Sequence, residues 1–172
     1  MGHPMRFCAE RLTQALTTRP LAESDYEPVI AVLDKWWGGR PMAGLLPRLF
    51  FQHFGDTSFA VENEEGRVAA FLVGFRSQSH PDEAYIHFVG VDPAYRGHGI
   101  GAALYRGFFE RVLAQGVTRV HAVTSPVNRG SVAFHQAMGF DVEPGDDVVD
   151  DIPVQTNYDG VGGSRVRFVK TL

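Results

Sequence analysis

The chain has 172 residues, 44% of them hydrophobic and 21% charged, with 19 glycines and 10 prolines. This is the composition of an ordinary globular protein with enough length for one well-buried core, and it excludes collagen-like, coiled-coil and solenoid architectures. Sixteen basic against twenty acidic residues give a net charge of −4, which offers phosphate backbones no general attraction, so nucleic acid is not an expected partner.

Residues 1–15 read as an N-terminal extension ahead of one domain spanning 16–172. The extension holds the only cysteine, Cys8, which cannot form an internal disulfide. It lacks the apolar segment of a signal peptide, so the expected location is cytoplasmic. The stretch "LTTRPL" then reads as a first strand. Ser24 with Glu27 three residues on forms a capping-box pattern, followed by Val29, Ile30, Leu33 and Trp37 at helical spacing and a Gly38-Gly39 stop. A second, short helix is expected from Pro47 to His53, ended by Gly55.

The period then changes. "SFAVEN", "GRVAAFLVGFRS" and "EAYIHFVGV" are short runs rich in β-branched and aromatic residues, separated by turn signals, and predict an antiparallel meander. The apolar run Val68 to Phe75 within it is far too short to span a membrane, so no membrane partner is expected. "GIGAALYRGFFERVLAQG" next puts Ile100, Leu104, Phe108 and Val112 on one helical face, with Gly116 as its cap. "VTRVHAVT" predicts a strand, "NRGSVAFHQAMG" a helix opened by Asn128 and closed by Gly139, and "SRVRFVKTL" a final strand. The acidic stretch between these last two carries Asp146, Asp147, Asp150 and Asp151 and reads as irregular. It is either a solvated surface loop or an acidic lip for a cationic acceptor, the question centring on residues 141–151.

The junction between the third meander strand and its helix, "VGVDPAYRGHGIGAALYRG", decides the chemistry. Gly97, Gly99 and Ala102 fit the G-x-G-x-x-G/A spacing of a dinucleotide fold. That fold needs a carboxylate about 20 residues on, at the end of the next strand, and "GVTRVHAVTS" supplies none. A second register, Arg96-x-x-Gly99-x-Gly101, lets backbone N–H groups point at an anion where a helix begins, with Arg96 beside them as a fixed charge. His53, His80 and His121 show no ligand spacing with a carboxylate or thiol, so no metal is expected.

"VGVDPAYRGHGIGAAL" resembles the coenzyme-A motif of the GNAT superfamily of N-acetyltransferases, and "NRGSVAFHQAMGF" resembles its second motif. With "TTRPLAESDYEPVIAVLD" the resemblance covers about residues 16 to 172. It implies an α+β fold with a central mixed, mostly antiparallel twisted sheet of about seven strands flanked by about four helices. It implies acetyl-CoA as co-substrate and no metal. Val89 and Val91 would bind the pantetheine arm, the N–H near Val89 would stabilise the oxyanion, and Arg96, Gly97, His98, Gly99, Ile100, Gly101 and Ala102 would hold the diphosphate. Asn128, Ser131 and His135 would also contact the cofactor. A homodimer is a family expectation.

Acetyl transfer to an amine asks for two proton carriers, one for the ammonium and one for the leaving thiolate. The family commonly uses a Glu on the strand and a Tyr on the last helix. Here His87 and His135 occupy those places, and an imidazole suits either task. His135 lies about two turns after Asn128, on its face, with Ser131 between. His135 is the candidate general acid and His87 the second candidate catalytic residue. The acceptor, a small-molecule or peptide amine, would meet Trp36, Trp37, Tyr85, His87 and Tyr158. The reading is an N-acetyltransferase working by direct attack in a ternary complex. Loss of both Glu and Tyr sustains the alternative, a non-catalytic acyl-CoA-binding or sensing module.

Overall fold

A computed structural model describes residues 6–7 and 15–172. Most of the expected extension over 1–15, and Cys8 with it, lies outside the described residues. The chain forms two compact units, one of the residues up to Phe75 together with Phe88–Arg111, the other of Arg76–His87 with Val112–Leu172.

The first unit is built on β1 (Arg6–Phe7), β2 (Leu16–Pro20), β3 (Phe59–Glu62), β4 (Val68–Arg76) and the second half of β5 (Glu83–Val91), adjacent in that order. The first three pairings are antiparallel. β4 is buried at six successive positions, Ala69 to Gly74, as a strand covered on both faces must be. Helix α1 (Tyr26–Trp36) turns Val29, Leu33 and Trp36 into a core shared with Leu46, Phe51, Phe71, Val73 and Phe88. The i, i+4, i+7 spacing selects Trp36 for the core face and leaves Trp37 partly buried beside it. Helix α2 (Leu49–His53) starts two residues after Pro47, whose carbonyl accepts from the Phe50 N–H at 3.1 Å. Helix α3 (Ile100–Leu113) buries Ile100, Leu104, Phe108 and Val112 as their spacing requires.

The start of α1 departs from the sequence expectation. Ser24 caps nothing; the chain enters through a 3₁₀ turn, Glu23–Asp25. Asp25 accepts from the Ala22 N–H at 2.8 Å and from both terminal nitrogens of Arg19 at 2.8 and 2.6 Å, while Arg19 also reaches Glu62 at 2.5 Å. A carboxylate neutralises a neighbouring guanidinium, which a serine hydroxyl cannot do, so the tertiary pair overrides the local cap.

In the second unit the first half of β5, β6 (Arg119–Thr124), β10 (Val166–Thr171) and β7 (Asp141–Val142) lie in that order. β5 pairs with β6 in parallel from Glu83↔Arg119 to Ile86↔Ala122, as a helical crossover demands. β6 and β10 pair antiparallel over six residues. Helix α4 (Arg129–Ala137) is capped by Asn128, whose Oδ1 accepts from the Ser131 N–H at 3.2 Å. The acidic stretch is not irregular. Besides β7 it contains a hairpin of β8 (Asp147–Val149) and β9 (Ile152–Val154), turned at Asp150 and Asp151, whose φ values of 50° and 64° are those of a two-residue primed turn. Asp146 braces its base, accepting from the Thr156 N–H, the Thr156 hydroxyl and the Gln155 amide at 2.7 to 2.8 Å. Among the described residues no helix is long and apolar enough to cross a membrane.

The Arg19–Asp25 pair yields a stability prediction. Burial alone would raise the Asp25 pKa, but Arg19 and the Ala22 N–H outweigh it and hold the carboxyl below its ordinary 3.8. The pair's stabilisation is therefore present at neutral pH and lost as pH falls through Asp25's native value. Asp25→Asn should lower unfolding free energy at pH 7 by roughly 3 kcal/mol, and it should flatten the acid limb of the urea-midpoint profile relative to the parent.

Candidate active site

In the first unit the site begins where β5 ends. Asp92 Oδ1 accepts from the Ala94 N–H at 2.9 Å and sets a 3₁₀ turn, Pro93–Tyr95. Gly97 and Gly99 follow with φ of 80° and 76°, and α3 opens at Ile100. A Cβ at either glycine would meet nothing within 4 Å, so it is the left-handed backbone, not crowding, that requires glycine there. The backbone N–H groups of such a turn, ahead of a fourteen-residue helix, are of the kind that suits an anion. Gly101 and Ala102 are part-buried in the first turn of that helix. His98 keeps its Nδ1 3.3 Å from the Tyr95 carbonyl.

Arg96 is engaged elsewhere than the sequence suggests. Its Nη2 donates to the Trp36 carbonyl at 2.6 Å and its Nε to the Val91 carbonyl at 3.1 Å. Trp36 is itself a core residue, 5% exposed and stacked on Phe71 at 6.2 Å, so its ring is committed to packing rather than to an acceptor. Trp37 is partly exposed and meets Phe88 edge-on at 5.2 Å. The loop after α1 is fixed by Asp34, whose Oδ1 accepts from the Met42 and Ala43 N–H groups at 2.7 and 3.0 Å. Nothing in the sequence pattern marked Asp34.

Along β5, Ala84, Ile86, Phe88 and Gly90 are buried while Tyr85, His87, Val89 and Val91 are partly exposed, so the four candidates share one side of the strand. The structure brings Tyr85 to Tyr158. Burial pushes the Tyr85 phenol well above its usual range, and the Tyr158 and Asp159 side chains push the same way, against Arg165. Tyr85 therefore stays a neutral hydroxyl. Arg165 is held by Asp159 at 2.6 Å.

Around α4, His135 is 5% exposed, stacked on Phe168 at 4.4 Å and edged by Phe140 at 5.3 Å. Its Nδ1 lies 2.8 Å from the Ser131 carbonyl, which can only accept, so Nδ1 carries the proton and Nε2 of the neutral ring is an acceptor. Burial lowers its pKa, and the Ser131 carbonyl opposes this only in part. The proton-donor role expected of His135 requires the charged form that this setting disfavours. His121, which shows no ligand spacing with a carboxylate in the sequence, has Nε2 3.4 Å from Glu83 and Nδ1 3.9 Å from Glu143. Strand pairing, invisible in linear spacing, puts them together. Among the described residues no group of three or more His, Cys, Asp and Glu could hold a metal ion.

A family model described as "Acetyltransferase (GNAT) family" matches residues 18–140. The chain belongs to this family. Among relatives, an L-2,4-diaminobutyric acid acetyltransferase of Nocardia farcinica is 33% identical over 90 residues, which is 52% of this chain and 46% of that protein. The chain thus spans about half the length of the curated relatives it matches. Among solved structures, Ard1 from Thermoplasma volcanium superposes with a TM-score of 0.72 at 20% identity, covering 91% of this chain and 97% of that one. A diaminobutyrate acetyltransferase from Paenibacillus lautus, solved with L-2,4-diaminobutyric acid and coenzyme A, gives 0.65 at 20% identity over 91% and 94% of the two chains. These structures share the GNAT fold with this chain, and its mixed α+β architecture is the one the sequence predicts.

His135 gives the GNAT fold here a second pH signature. Its native pKa lies below the ordinary 6.5, so the unfolded chain takes up this proton first as pH falls. The contribution is intact above 6.5 and declines as pH drops from there toward the native value. His135→Phe keeps a ring against Phe168 and should remove that decline, measured as denaturation midpoints at pH 7 and pH 5.

Proposed function

We propose that this GNAT protein is an N-acetyltransferase that moves the acetyl group of acetyl-CoA to a primary amine, with a small diamino acid as the acceptor class to try first. The observation that carries the donor assignment is the left-handed glycine pair at 97 and 99 opening α3 directly after β5. The backbone N–H groups of that turn suit a diphosphate, with the helix N-terminus behind them. The acceptor class follows from relatives named for L-2,4-diaminobutyric acid, which carries a primary amine away from its carboxylate.

In the reaction the neutral amine nitrogen attacks the thioester carbonyl carbon, the C–S bond breaks, and the leaving thiolate takes up the proton that the attacking nitrogen sheds as it becomes an amide. The Val89 N–H would polarise the carbonyl and stabilise the tetrahedral oxyanion. His87, on the partly exposed side of β5, is assigned to receive the ammonium proton. His135, neutral and bonded to Ser131, is assigned to hold α4 and its Asn128 cap in place rather than to supply a proton. Asn128 and Ser131 are assigned to the pantetheine arm.

The neutral state of His135 also favours the second reading, an acyl-CoA-binding module without turnover. Thiol release from acetyl-CoA in the presence of L-2,4-diaminobutyrate and a panel of other amines separates the two. The enzyme reading expects amine-dependent release. Acetyl-CoA binding with no such release for any amine from about pH 6 to 9 rejects it. His87→Ala should lower kcat by about 10²- to 10⁴-fold and change acetyl-CoA affinity by less than about twofold.

A further inference from the structure

We infer that Arg96 is a positioning residue for the loop 38–48 between α1 and α2, fixing the C-terminal end of α1 to the end of β5, and is not a diphosphate ligand. The inference rests on the acetyltransferase reading only in taking the loop 38–48, which directly follows the expected acceptor contact Trp37, as part of the acceptor site. The geometry is that of a clasp. Trp36 is the last residue of α1, and the last carbonyls of a helix have no partner within it and carry its negative dipole end. Arg96, sixty residues away in sequence, answers that carbonyl through Nη2 at 2.6 Å. Nε of the same guanidinium answers Val91, the last residue of β5, at 3.1 Å. Nε and one Nη lie on one edge of a planar fork, so a single side chain spans two carbonyls at fixed separation, which a lysine ammonium cannot reproduce.

Two further contacts tie the clasp to the loop. At Gly90, next to Val91, a Cβ would lie 2.5 Å from the Phe71 ring and 3.0 Å from Trp37, so the end of α1 presses on β5 beside the point that Arg96 grips. Two residues before Trp36, Asp34 receives the Met42 and Ala43 N–H groups and so carries the loop on the same last turn of α1. Releasing Arg96 frees that turn, and the loop with it. The diphosphate needs no help from this side chain, because the glycine turn supplies backbone donors.

Hydrogen exchange and calorimetry on Arg96→Met and Arg96→Lys test this. The clasp requires exchange at the Met42 and Ala43 amides to quicken about tenfold in both variants, since neither restores a two-carbonyl fork. Coenzyme A affinity by calorimetry should stay within about threefold of the parent in both, while the KM for L-2,4-diaminobutyrate rises severalfold. Unchanged exchange in Arg96→Met overturns the inference. So does an affinity for coenzyme A that falls tenfold or more in Arg96→Met and is restored in Arg96→Lys, the mark of a charge on phosphate. Exchange is read without ligand, so a chain that fails to turn over any amine removes the acetyltransferase reading and leaves this measurement standing.

Discussion

The two-residue period of β5 is the constraint to which the candidate residues answer. Its even positions are buried, with Phe88 stacked on Phe71 at 6.0 Å, and its odd positions from Tyr85 to Val91 are left partly open. A slip of one residue would exchange the two sets, burying His87 and exposing Phe88, so the packing of the even set specifies the placement of the odd set. The four-residue parallel ladder with β6 pins the start of the strand, and Gly90 lets aromatic rings crowd its end. Chemistry can therefore sit on a strand whose position is fixed by groups that take no part in it.

Burial acts on Asp25, Tyr85 and His135 in one sense, against the charged form. Asp25 keeps its charge inside the first unit because Arg19 and a backbone N–H meet it. At Tyr85 burial outweighs the opposing Arg165 charge, and at His135 it outweighs the Ser131 carbonyl, so both settle in their uncharged forms. For His135 the consequence reaches function. The tyrosine common at this place in the family is neutral at working pH and gives up a phenolic proton; an imidazole gives one up only after being charged, and burial among Phe134, Phe140 and Phe168 opposes that charging. The replacement is conservative in hydrogen bonding and not in acid strength.

Local signals were legible in the sequence and long-range ones were not. The two helices with clear apolar spacing, the meander and the Asn128 cap depend on residues within a few positions of one another, and each is found close to its expected bounds. Ser24 misled because its competitor, Arg19, arrives from β2. The hairpin at Asp150–Asp151 escaped notice because its turn lacks the glycine that usually announces two positive φ values. His121 beside Glu83, and Arg96 on Trp36, depend on register and on a separation of sixty residues, for which linear spacing carries no signal.

The glycine-rich turn shows why two registers of one motif can compete on paper and not in the fold. Only Gly99 is common to the two, and Gly97 and Gly99 both have the positive φ that favours glycine. What separates the registers is the third small residue. Ala102 would have to admit a neighbouring strand in a dinucleotide fold, where the turn is tight and follows the first strand of a parallel sheet. Here a 3₁₀ turn, Pro93–Tyr95, intervenes between β5 and the helix, and strands already paired antiparallel precede it, so the tight strand-to-helix turn of that fold is absent at this junction. The same spacing leaves Arg96 free to fold back on Val91, an arrangement that a tight strand-to-helix turn would not have room to make.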